Sequence, residues 1–535
     1  MWPPTAQSLI NSDIGLPSSL EKFLSNMLYG ASSPRTEKSK RLVSSIAQYM
    51  CRAATNSEWK LPKHVLMCLT LRHMFRSERL VTMLNRFGHS ENYAFSLELE
   101  TAIAQCVEDS STLLTNQIVR NPGPLSLFHS EFDNFDMLIN DMTGGGSIHT
   151  AHGIMLQEVS GAEGTHRELP CVPKTGRRSL ELKEPELPDC YVTMRKDPRL
   201  HINQLHYPEG ATALMNSTRR QMLWVIARTV YKSGHIVPAW SGFLSQTGKK
   251  PQQITVIDYY PVIPKPITEY KTVKECLKCA EQATDEVGQK YVVTTFDLGV
   301  CMKAYPLVWN NPTEYERHIV MIGTFHVTCA YLKMVGKKMA GSGLSDVLLE
   351  AGLIVSGSLD GVLKGKNYDR AMFCHKAVLE GLEQLLLEKY QEISPTECNS
   401  LPEDSHRILN DLVYHPCTDS HSKALRDEGL KKYIDGYMEF RQNVLEGVIG
   451  KTAQLWISYM DNIWLVLSLQ ESVKDNNFYL YAQSMYKMAD LFFSFGGQNY
   501  ARYLTYFGVF LANLDASHPG AVDLLRLGAF SVAAP

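Results

Sequence analysis

The sequence lacks any run of about eighteen or more apolar residues, the length that a membrane-spanning helix requires. Its most apolar window, 455–469, is interrupted by Asp461 and Asn462, which favours a buried helix. The start, Met1-Trp2-Pro3-Pro4, has neither the basic residues nor the apolar stretch of a signal peptide. Twelve cysteines follow no disulfide-framework spacing, which is typical of a reduced compartment. We therefore expect an intracellular, soluble protein with no membrane partner.

Positive charge is also in short supply. Lysine and arginine number 53 against 56 aspartates and glutamates, which gives a net charge of −3. A dedicated nucleic-acid binder usually has a marked basic excess, because phosphate neutralisation drives its affinity. Any nucleic-acid contact must therefore come from local patches. The Thr143-Gly144-Gly145-Gly146 segment lacks the Lys-Ser/Thr of a phosphate-binding loop, and we expect no small-molecule cofactor.

What the sequence does contain is enough apolar material for several hydrophobic cores. Hydrophobic residues make up 44% and charged residues 20% of its 535 residues, which is ordinary for a folded protein and suggests about three or four domains. Helical spacing of apolar residues predicts helices over 63–87 and 93–118, with a turn around Gly88. The sequence also predicts helix for nearly all residues from 343 onward, apart from a polar loop near 393–425.

Strands alternate with helices in the middle of the chain. Two predicted strands, 125–137 and 148–159, form a hairpin through the turn sequence Thr143-Gly144-Gly145-Gly146. Three more strands follow at 254–260, 291–296 and 318–324 with helices between them. This order indicates an α/β core with a mixed sheet, in a protein that is mostly helical overall. The predicted divisions are a helical N-terminal region (1–120), the core (121–342) with an insertion at about 160–253, a helical insertion (343–460) and C-terminal helices that complete the core (461–535).

Two aspartates stand where such a core would bind a ligand. Asp133 lies in the first predicted strand, and Asp297 ends a later one. Open α/β sheets bind ligands in the crevice beyond their strand ends. Carboxylates from neighbouring strands can share Mg²⁺ or Mn²⁺ there, and two ions about 4 Å apart can promote phosphoryl displacement. The alternative is that both aspartates are turn residues or helix N-caps.

A third carboxylate would come from a helix. Glu471 is the candidate, because it continues an apolar helical face that begins at Trp464, and a charge on such a face is costly unless it is paired or bound to metal. Alternatively the helix ends by Val473 and Glu471 points to water. The rival helical carboxylates are Glu350, Glu380 and Glu383.

Further polar residues surround these candidates. Asp136 is a possible accessory carboxylate close to Asp133. His326 begins the helix after a strand, where it could contact a phosphate or orient an acidic ligand. Lys333 and Lys337, four residues apart on that helix, could face nucleic acid. A core histidine and solvated lysines are the alternatives.

Short motifs along the chain carry a resemblance. They are Leu84-Asn85-Arg86-Phe87-Gly88-His89-Ser90 with Tyr93, Asp133-Asn134-Phe135-Asp136, Ser147-Ile148-His149, Trp240-Ser241-Gly242-Phe243, Thr295-Phe296-Asp297, Gly323-Thr324-Phe325-His326, Met339-Ala340-Gly341-Ser342-Gly343-Leu344 and Asn499-Tyr500-Ala501-Arg502. In this order and spacing the chain is similar, over nearly its full length, to a family of uncharacterised, transposon-derived proteins found in multiple copies in animal genomes, with more remote fungal relatives.

The resemblance implies a transposase core of the D-D-E kind on a ribonuclease-H-like fold. Under it Asp133 is the first acid, Asp297 the second and Glu471 the third, after a helical insertion from about 343 to 460. The implied metal ligands are these three acids, and the implied cofactor is Mg²⁺ or Mn²⁺. The Gly-x-x-His ending at His326 resembles the Cys/Asp-x-x-His element of several eukaryotic transposases, with Gly323 in place of the usual Cys or Asp.

Three functional hypotheses follow. The first is a nuclear, metal-dependent DNA transposase or integrase-like protein, with transposon ends as its partner and a homo-oligomer expected because two ends must be cut together. The second is a catalytically inactive DNA- or protein-binding scaffold descended from such an element, which the near-neutral charge and the lack of a recognisable DNA-binding module favour. The third is a structure-specific nuclease that uses the same acids without strand transfer.

Overall fold

The computed structural model describes residues 16–30, 36–108, 118–123, 126–141, 144–159, 176–179, 186–192, 207–231, 237–248, 254–393 and 401–528. The chain divides into two compact units, the first formed by 1–116 with 165–185 and the second by 117–164 with 186–535. The described residues are mostly helical and include a five-stranded mixed sheet, which confirms the prediction of a mainly helical α/β protein. Among them, no helix is both long and apolar enough to traverse a membrane.

The first unit is helical in its described part. Its helices are α1 (Ser18–Tyr29), α2 (Glu37–Ala54), α3 (Pro62–Phe75), α4 (Glu78–Arg86) and α5 (Tyr93–Glu108). The prediction of a single helix over 63–87 is wrong, because the helical backbone is interrupted between α3 and α4. Arg76 adopts a left-handed backbone (φ 47°), and the Ser77 hydroxyl accepts a hydrogen bond from the N–H of Leu80 to cap α4.

The second unit holds the sheet. Its strands are β1 (Phe128–Asp141), β2 (Gly144–Val159), β3 (Ile254–Tyr259), β4 (Val292–Phe296) and β5 (His318–Ile322). The helices before β5 are α6 (Pro208–Val230), α7 (Trp240–Thr247), α8 (Tyr270–Val287) and α9 (Leu298–Asn310). Those after β5 are α10 (Thr324–Lys338), α11 (Leu344–Glu350), α12 (Ser356–Leu363), α13 (Tyr368–Ile393), α14 (Glu403–Tyr414), α15 (Thr418–Arg426), α16 (Glu428–Leu445), α17 (Lys451–Lys474), α18 (Phe478–Ser494), α19 (Gln498–Ala512), α20 (Leu514–Ser517) and α21 (Ala521–Leu525).

The sheet order is β3-β2-β1-β4-β5. The pairs β1–β2 and β2–β3 are antiparallel, whereas β1–β4 and β4–β5 are parallel. The predicted hairpin is confirmed, but the three glycines of its predicted turn lie in β2, where they pair with the end of β1, and Thr143 lies outside the described residues. Because β1, β4 and β5 run in the same direction, the ends of β4 and β5 and the residues of β1 beside them lie at one edge of the sheet.

Side chains of the sheet alternate between two faces, as strand geometry requires. On one face the ring of Phe132 stacks on Tyr260 and Phe296, with centroids 4.8 and 6.0 Å apart. Gly153 lies opposite Phe132 in β2, and a Cβ on Gly153 would come within 2.3 Å of the Phe132 ring. The other face therefore carries the neighbours of Phe132 in sequence, Glu131 and Asp133.

The polar stretch near 393–425 is not the loop that the sequence predicts, since the described part of it contains α14 and α15. Leu409 and Leu412 of α14 are buried and three residues apart, so this helix has an apolar face despite its polar composition. At the start of α15 the Cys417 side chain accepts a hydrogen bond from the N–H of Ser420, and the Ser420 hydroxyl accepts one from the N–H of Cys417. Local capping and a short apolar face thus make helices here.

Candidate functional site

A cleft of about 380 Å³ opens at the ends of β4 and β5 and extends over β1 and β2. Its floor is the sheet face that carries Glu131 and Asp133, and its wall is the start of α10. The polar side chains that line it belong to Glu131, Asp133, Asn134, His152, Thr295, Asp297, Thr324, His326 and Tyr481. The cleft therefore collects carboxylates and imidazoles from β1 and β2, from the residue that follows β4 and from the first turn of α10.

Parallel pairing of β1 with β4 brings the two predicted aspartates into this cleft. Glu131 pairs with Thr295, so Asp133 and Asp297, each two residues further along, are directed to the same face. Asp133 remains open to solvent, with 55% of its side chain exposed. The structure thus places both aspartates where a ligand in the cleft would meet their oxygens.

Asp297 is also the N-cap of α9, which was the alternative role predicted for it from the sequence. Its Oδ1 accepts a hydrogen bond of 2.7 Å from the N–H of Val300 at the start of α9. A Cβ at Gly299 would lie 3.2 Å from the other oxygen, Oδ2, so glycine leaves room beside it. The two interpretations of Asp297 are compatible, since a cap uses one carboxylate oxygen and leaves the second in the cleft.

His326 faces Asp133 across the cleft, with its Nε2 3.6 Å from Asp133 Oδ2. Interaction with this carboxylate raises the pKa of His326, partial burial opposes the rise, and the charge of Asp297 adds to it. The carbonyl oxygen of His326 accepts a hydrogen bond of 3.4 Å from the Tyr500 hydroxyl of α19. An imidazole N–H at this position can donate a hydrogen bond to an anionic oxygen in the cleft.

Glu131 is a carboxylate of the cleft that the sequence interpretation missed. Burial raises the pKa of Glu131, and the nearby Asp133 charge raises it further. Strand alternation was the signal that could have found it, because residues i and i+2 of a strand share one face. The cleft thus has three carboxylates, although the third comes from β1 and not from a helix.

The structure does not bring Glu471 to Asp133 and Asp297. Glu471 is buried on α17, where its Oε2 accepts a hydrogen bond of 2.7 Å from the Ser217 hydroxyl and its Oε1 accepts one of 3.2 Å from Arg220. Burial raises the pKa of Glu471, and Arg220 acts against that rise. The alternative in which Glu471 points to water also fails, since α17 continues to Lys474 and the side chain is enclosed.

The rival helical carboxylates also lie outside the residues that line the cleft. Glu383 is buried and contacts Arg441, Tyr437 and Trp464. Glu380 pairs with Arg228, and Glu350 is exposed at the end of α11. No helical glutamate among these candidates is thus available to the two aspartates in this structure.

The accessory candidates have separate environments. The backbone of Asp136 pairs with His149 in the β1–β2 hairpin, and its side chain lies outside the described part of the chain. Lys333 is exposed on α10, and Lys337 Nζ donates a hydrogen bond of 3.2 Å to the carbonyl oxygen of Phe495. Neither lysine lines the cleft.

The two aspartates of the cleft could hold the implied divalent cation only together with water or substrate oxygens. Mg²⁺ is commonly held by one or two carboxylates together with water and substrate phosphates, and Asp133 and Asp297 are carboxylates of this kind. Across the described residues, no group of three or more His, Cys, Asp or Glu side chains is arranged to hold a metal ion. The residues present therefore suit an ion shared between protein and substrate, and they do not form a cage that encloses one.

Comparison with known proteins assigns the chain to a family without assigning it an activity. Residues 239–533 match the family described as a domain of unknown function (DUF8702), and the chain belongs to this family. No curated protein and no solved structure matches the chain. The matched segment includes Asp297, His326 and Glu471, whereas Asp133 precedes it.

Proposed function

We propose that this cleft is the site of metal-dependent phosphodiester cleavage and strand transfer in a transposon-derived protein. The observation that carries the proposal is the shared position of Asp133 and Asp297 at one edge of a mixed sheet. The strand order β3-β2-β1-β4-β5, with only β2 antiparallel to the rest, supports it further, because a ribonuclease-H-like core has this arrangement.

In the proposed reaction, water or a strand 3′-hydroxyl forms a bond to phosphorus and loses its proton to solvent. The P–O ester bond on the opposite side breaks, and the leaving oxygen takes the bond's electron pair and a proton from solvent. A bound divalent cation would polarise the phosphoryl oxygens and stabilise the developing charge. Asp133 and Asp297 would hold that cation, and the capping bond from Val300 fixes one oxygen of the Asp297 carboxylate and leaves the other for it. His326, held beside Asp133, would donate a hydrogen bond to a phosphate oxygen.

The same proposal includes the partners and the cellular site. DNA bearing the ends of the element is the proposed substrate, with a homo-oligomer that joins two ends and a nuclear location. Lys333 and Lys337 remain candidates for contacts to DNA outside the cleft, since they follow His326 on α10.

A catalytically inactive scaffold is the second candidate, and the position of Glu471 favours it. A D-D-E transposase needs a helical glutamate beside the two aspartates, whereas Glu471 is bound to Arg220 and Ser217. The Asp133–His326 pair and the Asp297 cap can also be purely structural. Under this hypothesis the cleft is retained from an ancestral transposase, and the protein binds DNA or another protein without cleaving DNA.

A nicking assay with metal-binding measurements decides between the two. Supercoiled DNA carrying the element's ends would be incubated with the protein and Mg²⁺ or Mn²⁺, and Mn²⁺ binding would be followed by electron paramagnetic resonance. We expect metal-dependent nicking by the natural chain and by Asp404→Asn, a control on the exposed surface of α14. We expect loss of nicking and weaker Mn²⁺ binding in Asp133→Asn/Asp297→Asn.

The asparagine at 297 keeps a competent helix cap, so a loss of activity in this variant reports on charge and not on folding. Equal nicking by the double variant and the natural chain would refute the catalytic proposal. Absent nicking together with unchanged DNA binding by both proteins would favour the scaffold.

A further inference from the structure

Aromatic side chains lie on the sheet face that leads into the cleft. Tyr259 of β3, His152 of β2 and Phe135 of β1 form a continuous row, which we call the aromatic strip. Ring centroids are 5.6 Å apart for Tyr259 and His152 and 6.3 Å apart for His152 and Phe135. Tyr259 is 60% exposed and Phe135 53% exposed, so both rings offer surface to a ligand.

Strand register explains why the strip and the carboxylates share one face. His152 pairs with Asp133, and Tyr259 pairs with Ile154, the residue two positions after His152. Cross-strand partners lie on the same face of a sheet, as do residues i and i+2 of a strand. The strip therefore runs across three strands and ends beside Asp133, and both His152 and Phe135 line the cleft itself.

A second aromatic surface lies on the other side of the carboxylates. Phe325, the residue before His326, is 54% exposed and lines the cleft. Its ring lies 5.1 Å from that of Tyr368 at the start of α13. Exposed rings thus border the acidic centre of the cleft on both sides.

We propose that the aromatic strip binds the bases of an unpaired nucleic-acid strand and guides its backbone to Asp133 and Asp297. This inference rests on the proposed function and names the form of its substrate. Bases stack on aromatic side chains irrespective of sequence, which is how single-strand binders hold their ligands. Duplex DNA cannot use such a surface, because its bases are already stacked and paired.

Ring spacing also favours an unpaired strand. The distances of 5.6 and 6.3 Å between neighbouring rings exceed the rise of about 3.4 Å per nucleotide along one strand of duplex DNA. An extended strand can place successive bases on successive rings at this spacing, whereas stacked bases in a duplex cannot. Because the cleft itself is acidic, stacking must supply much of the affinity.

Fluorescence anisotropy with a labelled oligothymidylate strand, in the presence of EDTA to prevent cleavage, tests the inference. Each lost aromatic contact is expected to weaken binding by about five- to a hundredfold, the range that alanine substitutions of stacking residues imply. We therefore expect at least about tenfold weaker binding by Phe135→Ala/Tyr259→Ala. We expect near-natural binding by Phe135→Trp/Tyr259→Phe, which keeps both rings.

The matched control is Phe373→Ala/Phe493→Ala, which removes two rings of similar exposure from α13 and α18. We expect this control to bind oligothymidylate like the natural chain, and all variants to keep the natural thermal unfolding midpoint. A duplex of the same length should bind the natural chain more weakly than the single strand. Equal affinity for duplex and single strand, or equal loss in the control, would overturn the inference.

The outcome can be separated from that of the catalytic proposal. Ring-dependent binding of the single strand without metal-dependent nicking supports the inference and removes the catalytic role. Nicking that needs Asp133 and Asp297 but is unchanged in Phe135→Ala/Tyr259→Ala overturns the inference and leaves catalysis in place.

Discussion

Replacement of Glu471 distinguishes a structural carboxylate from a metal ligand. In this structure Glu471 belongs to a buried network between α6 and α17, in which Arg220 also contacts Asp475 at 2.6 Å and Thr247 at 3.0 Å. Two substitutions probe it. Glu471→Ala removes both the charge and the hydrogen-bond acceptors, whereas Glu471→Gln keeps the shape and one acceptor oxygen.

The expected magnitudes follow from burial and from the remaining partners. Removing one member of a buried ion pair typically costs about 3–5 kcal/mol, because the other charge is left without compensation. Arg220 keeps Asp475, so we expect the lower end, about 3 kcal/mol of unfolding free energy, for Glu471→Ala. Glutamine keeps the side-chain volume and an acceptor oxygen for this network, so we expect Glu471→Gln to cost less than Glu471→Ala, about 1 kcal/mol.

Urea unfolding followed by tryptophan fluorescence measures these costs. Trp464 lies on α17 and packs against Trp224 of α6, so its emission reports on the two helices that the network joins. Mn²⁺ binding and nicking are measured on the same proteins. We expect Glu471→Gln to bind Mn²⁺ and to nick DNA as the natural chain does. Natural stability of Glu471→Gln combined with lost Mn²⁺ binding would refute this reasoning and restore Glu471 as the third acid.

Three further predictions concern the sheet and the cleft. Gly153→Ala should destabilise the protein by about 1–3 kcal/mol in urea unfolding, since its Cβ would overlap the Phe132 ring, and a natural midpoint would contradict the packing described. Burial lowers the pKa of His129 to about 4, so the folded state resists protonation and stability is lost as pH falls from about 6.5 through 4. His129→Phe should therefore reduce the fall in unfolding midpoint over that pH range, and an unchanged fall would argue against a buried neutral imidazole. Asp297→Ala should cost about 1 kcal/mol in thermal or urea unfolding while Asp297→Asn is nearly neutral, and equal costs would exclude the cap.

Local patterns predicted the sheet well. Alternating side chains and a glycine-rich turn indicated the β1–β2 hairpin, and the alternation of strands with helices indicated a mixed sheet. Helix ends depend on single side chains and were harder to place. The Ser77 cap divides one predicted helix, and the short apolar face of α14 is hidden in a polar stretch.

The candidate site could be predicted only where strand geometry determines it. Asp133 and Asp297 lie at strand ends, and parallel pairing brings such positions to one edge. The position of Glu471 depends on how α17 packs against α6, and its partner Arg220 is 251 residues away in sequence. The spacing of residues along one helix carries no information about such a partner. The apolar pattern of α17 therefore could not predict where the Glu471 carboxylate would lie.

If Asp297 binds an ion as proposed, its capping bond would couple that binding to the first turn of α9. If an ion drew both carboxylate oxygens toward itself, the Val300 amide would lose its acceptor and exchange its proton with solvent more rapidly. If the ion bound only the second oxygen, the first would keep its hydrogen bond and the Val300 amide would stay protected. The hydrogen-exchange rate of the Val300 amide would thus report whether an ion binds one or both oxygens of the Asp297 carboxylate.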